Sequence, residues 1–337
     1  MADSLLKFSA SPHVKAKRTT RNIMIDVCIA LLPACIMGCV YFGWKALLLI
    51  VLSVISCVAS EFVYLLITKM TFKEIIERFD FTSCVTGLLI ALSIGVQTPV
   101  YVPVLAGIFA IIVVKMLFGG TGKNLVNPAV TGRVFAFMSF TSVMASGWVL
   151  PSIGSLVGAS SINPTTGATV LTNLFDMEKG GIPLLSNVDL LLGTGLAGCI
   201  GETCKVALIL GGIYLAVRGV INIIYPLIYI AVAGLLTVAL QGSFEYFLPS
   251  ILSGGLILGA IFMATDYTTT PNTTVGNVIY FVALGLVTAL LRWATGIEVV
   301  SFVILLMNLF VPLIDKFILN TPFGYVKQKK VKEGKNG

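Results

Sequence analysis

A short hydroxyl-rich run at residues 165–169 is the first feature of this sequence that could do chemistry. It consists of Thr165, Thr166, Gly167, Ala168 and Thr169, within an otherwise strongly apolar chain. Threonine hydroxyls can become phosphoesters, and the small Gly-Ala pair leaves the backbone accessible to a modifying enzyme. The residues alone are compatible with covalent modification and with an unmodified polar turn.

A glycine-rich loop, GGTGKNLVNPA at residues 119–129, is the second candidate. It is not a Walker phosphate loop, because Leu117 stands where the first glycine is required and Asn124 stands where serine or threonine is required. A glycine backbone can approach a planar ligand closely, and the amides of Asn124 and Asn127 can pair with the edge of a flavin or substrate. The alternative is a re-entrant turn whose asparagines cap backbone groups.

Ionisable residues in or beside apolar segments are the third kind of candidate. Glu202 and Lys205 lie one helical turn apart, which predicts either a self-neutralising ion pair or side chains facing a partner or water path. Glu61 has no acid or base near it in sequence, so it and Glu202 are candidates for an ion path. Asp266, in the polar turn 265–271, could bind a cation or a flavin, or cap a helix.

Metal and histidine chemistry are poorly represented in this chain. The one histidine, His13, lies in the polar N-terminal tail. Cys28, Cys35 and Cys39 share one helix face by their spacing, so a thiol cluster is conceivable, although buried thiols ordinarily behave as small hydrophobic side chains. We predict neither a metal site nor a catalytic residue in this chain.

The elements that must position these residues are membrane helices. The chain has 337 residues, of which 57% are hydrophobic and 11% charged, with a mean hydropathy of +1.00. Soluble domains carry roughly 25% charged residues. We therefore predict an all-α integral membrane protein. Segments long enough to cross a bilayer occur at 23–43, 46–67, 82–98, 101–118, 134–150, 195–216, 222–240, 248–265, 277–292 and 297–318. The fifth is the most polar, which predicts an interfacial or broken helix.

The distribution of lysine and arginine predicts the orientation, because these residues stay on the cytoplasmic side during insertion. With ten transmembrane helices, eighteen cations, Lys115 and Arg133 among them, fall on one side. Only Lys45, Lys179 and Arg292 fall on the other. Both termini are therefore predicted to be cytoplasmic. The net charge of +7 reports this topology rather than nucleic-acid binding.

The ten segments divide into two groups of five, an arrangement typical of inverted-topology repeats. Ligands in such bundles bind near the midplane, which suits a channel, a transporter or a cofactor scaffold. The predicted regions are a cytoplasmic tail at 1–22, a five-helix half at 23–150, an extracytoplasmic loop at 151–194, a second half at 195–318 and a basic cytoplasmic tail at 319–337.

Several of these motifs resemble one membrane family. The resemblance is to the RnfD family, the D subunits of Rnf complexes, which includes the B subunit of the sodium-pumping NADH:quinone reductase. The matching residues are Gly119, Gly120, Thr121, Gly122, Lys123, Asn124, Asn127, Pro128, Ala129, Gly132, Arg133, Val134, Phe135, Ser139 and Phe140, together with residues 81–98 and 263–266.

The resemblance implies two flavins. In that family the last threonine of an S-G-A-T-like motif carries FMN through its phosphate, which assigns Thr169 here, with Thr166, Gly167 and Ala168 as the rest of the motif. Thr166 replaces the usual serine and keeps a hydroxyl. A second, noncovalent flavin, riboflavin, is implied within the helices, and we carry it onto Asn124, Asn127 and Asp266.

The function that the resemblance implies is electron transport. The chain would be one component, not a complete enzyme, of a ferredoxin:NAD⁺ oxidoreductase that moves Na⁺ or H⁺ across the bacterial inner membrane. Its implied partners are the A, B, C, E and G subunits of the Rnf complex, the lipid bilayer, and a flavin transferase during maturation. The alternatives are a solute channel or secondary transporter with a five-plus-five fold, and a membrane scaffold without a cofactor.

Overall fold

The computed structural model describes residues 18–145, 186–194 and 197–318. Helices account for all of the regular secondary structure in these ranges. They are α1 (Thr20–Phe42), α2 (Trp44–Ile67), α3 (Phe72–Arg78), α4 (Thr82–Leu92), α5 (Tyr101–Ile108, continued by a π-helix at Phe109–Met116), α6 (Pro128–Ser139), α7 (Thr141–Ala145), α8 (Asn187–Leu192), α9 (Lys205–Val217), α10 (Ile224–Gln241), α11 (Phe247–Leu252, preceded by a 3₁₀ turn at Phe244–Tyr246), α12 (Leu256–Leu258, continued by a π-helix at Gly259–Met263), α13 (Thr274–Thr295) and α14 (Val300–Phe317).

The helices confirm an all-helical, multi-pass membrane protein. Among the described residues, α1, α2, α10, α13 and α14 are long and apolar enough to cross a bilayer. The pair Phe244–Leu252 and Leu256–Met263, bent by 67°, could form a sixth span. The remaining apolar helices, α4, α5 and α9, are shorter. Non-helical backbone therefore adjoins several apolar helices, which membrane proteins tolerate where it is buried in protein or lines a cavity.

Helix α6 begins at Pro128 rather than at residue 134, where the sequence predicted the fifth span. The Asn127 side chain accepts hydrogen bonds at the helix N-terminus, and Pro128 occupies the first turn, where no N–H is needed. The helix ends at Ser139, and Phe140 separates it from α7. This interruption agrees with the predicted weakness of the segment, and residues 146–150 lie outside the described ranges.

Helices α2, α4 and α5 pack closely through small residues. The Ser53 hydroxyl donates to the Gly87 carbonyl at 2.8 Å, which ties α2 to α4. Gly107 of α5 faces Ser56 and Cys57, and a Cβ there would overlap both side chains. Small residues allow membrane helices to approach in this way. The packing brings the polar ends of α2, α4 and α5 together.

The two halves of the chain contact each other at the interrupted helices. Beyond the end of α4, the carbonyl of Leu92 accepts from Gly201 N–H at 2.8 Å, and the carbonyl of Ile94 accepts from Ile200 N–H at 3.1 Å. Helix α1 packs on α9, and α6 packs on α14. Residues before α9 therefore satisfy carbonyls that α4 leaves unpaired at its C-terminus.

Candidate functional site

A cavity lies between the glycine-rich loop and the turn that follows α12. We call it the asparagine cavity, and its volume is about 790 Å³, counting the part that opens to the outside. Apolar side chains from α1, α4, α9 and α12 form much of its wall. The polar residues that line it are Thr82, Thr86, Lys115, Thr121, Asn124, Asn127, Thr265, Asp266 and Thr268. It thus brings together three residues that the sequence singled out separately: Asn124, Asn127 and Asp266.

Asn127 is held rigidly by its own hydrogen bonds. Its Oδ1 accepts from Ala129 N–H at 2.9 Å and from Val130 N–H at 3.4 Å, so the side chain caps α6. Its Nδ2 donates to the Met263 carbonyl at 3.1 Å, across to the second half of the chain. The capping alternative is confirmed for this residue, which also forms part of the cavity wall.

Asn124 differs from Asn127, because its side-chain oxygen is buried without a partner among the described residues. A buried acceptor without a hydrogen-bond partner destabilises a fold by roughly 1 to 3 kcal/mol relative to a paired one. The residue lines the cavity while this oxygen is itself buried, so a donor in the open volume can reach it only when the amide turns toward that volume. The capping alternative is therefore not confirmed for Asn124, and a ligand N–H group fits its oxygen.

Lys115 is almost completely buried at one end of the cavity. Its ammonium donates to Glu61 Oε1 at 2.8 Å, to Thr82 Oγ1 at 2.5 Å and to Ser83 Oγ at 3.3 Å. Ser83 also donates to the second oxygen of Glu61. The lysine on α5 therefore neutralises the carboxylate on α2, through contacts with the N-terminus of α4.

Two aspartates lie in the connecting segments beside this end. Asp80 accepts from the Thr82 hydroxyl at 2.6 Å and from Thr82 N–H at 3.1 Å, and it lies 3.9 Å from the Lys115 ammonium. Burial opposes the ionisation of Asp80, but Lys115 and the threonine hydrogen bonds hold the pKa of this carboxyl below its usual value.

Asp266 has a different electrostatic environment. Its carboxylate accepts from Thr268 N–H at 3.3 Å and from the Thr268 hydroxyl at 2.9 Å. Burial raises the pKa of Asp266, and these hydrogen bonds only partly oppose the shift. Asp266 does not cap α13, since Thr273 does so by accepting from Gly276 N–H at 2.9 Å.

The asparagine cavity has polar groups that match the edge of a flavin ring. Ligand cavities are mostly apolar, with a few fixed polar groups. The uracil-like edge of a flavin alternates carbonyl oxygens with one N–H donor. The unpaired oxygen of Asn124 can accept from that donor, and its amide nitrogen can donate to a carbonyl beside it.

A second polar region surrounds the break between α11 and α12. We call it the arginine cluster, and it comprises Arg133, Glu202, Lys205, Arg292 and Glu298. All five approach Gly254 or Gly255. Gly254 has φ +64°, and a Cβ there would collide with the Glu298 carboxylate, so only glycine fits.

Within the arginine cluster, Arg292 forms the best-defined ion pair. Its guanidinium donates to Glu298 Oε2 at 2.7 Å, and to the carbonyls of Ser250 at 3.0 Å and Ser253 at 3.4 Å. Glu298 also accepts from Gly255 N–H at 3.1 Å. These side chains thus satisfy backbone groups that the bend between α11 and α12 leaves unpaired.

Of the two alternatives for Glu202 and Lys205, the self-neutralising ion pair is not formed. The Lys205 ammonium donates to the backbone carbonyl of Glu202 and, at 2.7 Å, to that of Gly254. The Glu202 carboxylate accepts instead from Cys199 N–H at 3.0 Å. The two side chains diverge because Glu202 precedes α9 in a turn, while Lys205 is the first residue of the helix. The i,i+3 geometry of a continuous helix does not apply.

The charge distribution predicts loop positions for Lys115, Arg133 and Arg292, but all three are buried side chains. Each lies near the end of an apolar run, where composition alone cannot separate a loop cation from a buried one. The signal that could have identified Lys115 is its position directly after seven apolar residues, 108–114, inside the predicted span 101–118. When these three residues are left out of the count, most of the remaining lysines and arginines still fall on the predicted cytoplasmic side.

Other predicted residues are placed apart from both regions or outside the described ranges. Residues 165–169, including Thr166, Gly167, Ala168 and Thr169, lie outside the described ranges. Among the described residues, no group of three His, Cys, Asp or Glu side chains could hold a metal ion. Cys28, Cys35 and Cys39 are free thiols.

The chain that forms the asparagine cavity is similar to known proteins over almost its whole length. A family model described as the NQR2, RnfD, RnfE family matches residues 7–324, almost the entire chain. The chain belongs to the NQR2, RnfD, RnfE family. The match contains both asparagines, both carboxylate candidates for the ion path, the hydroxyl-rich run and Asp266.

Three relatives illustrate how the NQR2, RnfD, RnfE family is described. The chain is 40% identical over 329 residues to the D subunit of the Na⁺-translocating ferredoxin:NAD⁺ oxidoreductase complex of Acetobacterium woodii, covering 96% of this chain and 97% of the relative. It is 35% identical over 333 residues to the D subunit of the proton-translocating ferredoxin:NAD⁺ oxidoreductase complex of Clostridium ljungdahlii, covering 95% and 97%. It is 30% identical over 350 residues to the D subunit of the ion-translocating oxidoreductase complex of Marinobacter nauticus, covering 97% and 98%.

These findings confirm the family resemblance. The three relatives are all described as subunits of translocating oxidoreductase complexes, which favours the redox interpretation over a solute channel or transporter. Their names differ in the ion translocated, so family membership is compatible with either Na⁺ or H⁺.

Proposed function

We propose that this chain is the D subunit of an ion-translocating ferredoxin:NAD⁺ oxidoreductase complex in the bacterial cell membrane. Full-length similarity to relatives of that name supports the assignment. The A, B, C, E and G subunits would supply the ferredoxin and nicotinamide chemistry. This chain would relay electrons between two flavins, with Na⁺ or H⁺ as the coupled ion.

The single observation that carries the flavin assignment is the asparagine cavity with its unpaired Asn124 oxygen. Asn124 would bind the polar edge of riboflavin, and Asn127 would hold the loop in place through α6. Asp266 would face the ligand from the opposite segment. A bound flavin supplies one- and two-electron redox chemistry, while the protein supplies its position and electrostatic environment.

The second flavin would be FMN, attached through its phosphate to Thr169 by a flavin transferase. Thr166, Gly167 and Ala168 would complete the recognition motif. In this proposal the ten apolar segments are ten transmembrane helices in two inverted halves, with both termini cytoplasmic. The loop at 151–194 would then lie on the extracytoplasmic side. Cysteine labelling from either side of sealed vesicles tests that topology.

Covalent FMN is tested by denaturing electrophoresis of the chain expressed with its flavin transferase. Flavin fluorescence should remain with the wild-type band and be absent from Thr169→Ala. Thr165→Ala, one position before the motif, is the matched control and should remain fluorescent. A dark wild-type band, or fluorescence that survives Thr169→Ala, would contradict the proposed attachment.

The ion path would include Glu61 and Glu202. Glu61 supports this role because it borders a second cavity of about 1180 Å³ that also contacts Asp80 and Thr121. Electron transfer by the whole complex should require Na⁺ in the presence of a protonophore if Na⁺ is coupled. If H⁺ is coupled, transfer should proceed without Na⁺. Loss of ion transport with retained electron transfer in Glu61→Gln would support the assignment, and unchanged coupling would oppose it.

A further inference from the structure

A buried asparagine on α14 contacts the end of the glycine-rich loop from outside the asparagine cavity. Asn308 is fully buried, at 0% exposure, and does not line the cavity. Its helix is apolar and long enough to cross a bilayer. A polar side chain inside such a segment is costly unless its groups are paired, and it usually has a function. The proposed flavin site does not by itself use Asn308.

The partners of Asn308 determine how its amide is oriented. The amide meets the Tyr280 hydroxyl at 2.7 Å, the Ile304 carbonyl at 3.2 Å and the Asn127 N–H at 3.2 Å. A carbonyl needs a donor, and an N–H needs an acceptor. The amide nitrogen of Asn308 therefore donates to Ile304 and Tyr280, and its oxygen accepts from Asn127 N–H. This orientation gives a partner to both polar atoms of the amide.

The bond to Asn127 is one of two polar contacts that join α6 to α14. The other is the hydrogen bond from the Arg133 guanidinium to the Ser301 hydroxyl. Residues 127 and 133 are about 9 Å apart along α6, and residues 301 and 308 are about 10 Å apart along α14. The two helices are thus antiparallel and bound at two levels, so α14 sets the position at which α6 begins.

The N–H of Asn127 is the last backbone donor of the loop, because the next residue, Pro128, has none. The Asn127 Oδ1 caps α6 itself and does not tie the loop to the rest of the protein. That connection comes from Nδ2, which donates to Met263, and from the N–H, which donates to Asn308. Asn124 lies three residues earlier in the chain, so the position of its amide depends on these two contacts.

We propose that Asn308, oriented by Tyr280, is a positioning residue for the proposed flavin site. It fixes the backbone of Asn127 and thereby places the Asn124 amide at the cavity. The inference rests on the proposed flavin site and adds to it two residues that touch no ligand. Without the Asn308 oxygen, the loop keeps only the bond to Met263. Asn124 then occupies more positions, and ordering them on binding lowers the affinity for riboflavin.

The test uses the full chain in lipid nanodiscs, expressed without the flavin transferase and freed of bound flavin. Asn308→Leu is the main variant, because leucine is close to asparagine in size and cannot accept from Asn127 N–H. Quenching of riboflavin fluorescence should give a Kd at least about fivefold above the wild-type value, the effect of about one hydrogen bond. Deuterium exchange of residues 119–131, measured by mass spectrometry without flavin, should be faster than in the wild type.

Thr288→Val is the matched control. Thr288 also belongs to a wholly buried pair with a tyrosine, since it meets the Tyr229 hydroxyl at 2.8 Å. It lies on α13, as Tyr280 does, and it does not line the cavity. Valine keeps the shape of threonine and removes the hydroxyl. The substitution should lower stability, but the riboflavin Kd and the exchange of residues 119–131 should match the wild type.

Tyr280→Phe is a second variant that keeps the inference testable if Asn308→Leu does not fold. Phenylalanine retains the ring that packs edge-on against Phe281, and only the hydroxyl that orients the amide is lost. The Ile304 carbonyl still holds the amide nitrogen of Asn308. We therefore expect a smaller rise in the riboflavin Kd, of about twofold.

An unchanged riboflavin Kd in folded Asn308→Leu, or in Tyr280→Phe if the first variant does not fold, would overturn the positioning role. An equal rise of the Kd in Thr288→Val would overturn it too, because the loss of any buried hydrogen bond would then be sufficient. If the wild-type chain binds no riboflavin, the proposed flavin site is overturned and the inference with it. The exchange measurement would then show separately whether Asn308 fixes the loop.

Discussion

The asparagine cavity and the arginine cluster are both polar regions beside interrupted helices, yet they treat their polar groups differently. In the arginine cluster, side chains satisfy the backbone at the bend between α11 and α12, as Arg292 does for Ser250 and Ser253. In the cavity, Asn124 leaves an acceptor unpaired beside open volume. The comparison indicates that an unmet hydrogen bond next to space marks a ligand site better than a high density of charge.

Arg292 offers an informative exception. Its Nε is the other buried side-chain atom without a partner among the described residues. It does not line the asparagine cavity, and the rest of its guanidinium is bonded to Glu298 and to the two serine carbonyls. The unpaired Nε of Arg292 therefore belongs to a residue with a structural role. The unpaired oxygen of Asn124 belongs to a residue that lines a cavity.

The largest expected effect lies in the arginine cluster. Arg292→Ala would leave the Glu298 carboxylate and two serine carbonyls without their main partner. We expect the free energy of unfolding to fall by about 3 to 5 kcal/mol, the usual cost of breaking a buried ion pair. Reversible denaturant titration in detergent micelles measures the change.

The control for this prediction is Arg218→Ala. Arg218 pairs with Asp26 at 3.1 Å, but its side chain is 52% exposed. Solvent screening weakens such a pair, so Arg218→Ala should destabilise the chain much less than Arg292→Ala. Equal destabilisation by the two substitutions would show that the arginine cluster is no more important for the fold than an exposed ion pair.

The middle effect separates the two roles of Asn127. Asn127→Ala removes the cap of α6 and should cost about 1 kcal/mol of stability, in addition to weakening riboflavin binding. Asn127→Asp keeps an acceptor for Ala129 and Val130 but loses the donor to Met263. It should retain the cap contribution and still lose riboflavin affinity, because the loop loses its hydrogen bond to the Met263 carbonyl.

Unfolding titrations and riboflavin fluorescence on the same preparations measure both properties of these variants. If Asn127→Asp bound riboflavin with wild-type affinity, the position of the loop would not depend on the bond to Met263. If both substitutions left stability unchanged, the cap would contribute little to α6.

Features that depend on local sequence could be predicted, whereas contacts between distant residues could not. The positions of the long helices follow from local apolar composition, whereas the start of α6 at Pro128 was missed because hydropathy does not register the cap that Asn127 supplies. The pairing of Glu61 with Lys115 could not be predicted in the same way, because 54 residues separate them and the contact depends on close packing of α2 against α5.

The candidate site was only partly predictable for the same reason. Asn124, Asn127 and Asp266 stand out individually, from residue type and from the family resemblance. Their convergence on one cavity depends on how α6 and α12 pack, which no local pattern specifies. The Glu202–Lys205 ion pair, one of two alternatives that the sequence left open, does not form because the backbone before α9 turns, and a break in an apolar helix is not evident from hydropathy.

The smallest effect on stability is expected at Asn124. Asn124→Ala removes an oxygen that has no internal partner among the described residues, so the free energy of unfolding should change by less than about 0.5 kcal/mol. Riboflavin affinity should nevertheless fall about tenfold, because the ligand loses its hydrogen-bond partner in a buried site. Calorimetric titration with riboflavin measures the second change, and a loss of stability with normal affinity would assign Asn124 a structural role instead.

The most direct test of the central claim is an electron cryomicroscopy map of the full chain in nanodiscs with riboflavin, bound to an antibody fragment. We expect a flat three-ring density in the asparagine cavity, with its polar edge within hydrogen-bond distance of the Asn124 amide. A ring bound elsewhere, or a cavity closed by its own side chains while riboflavin is bound, would contradict the proposed flavin site.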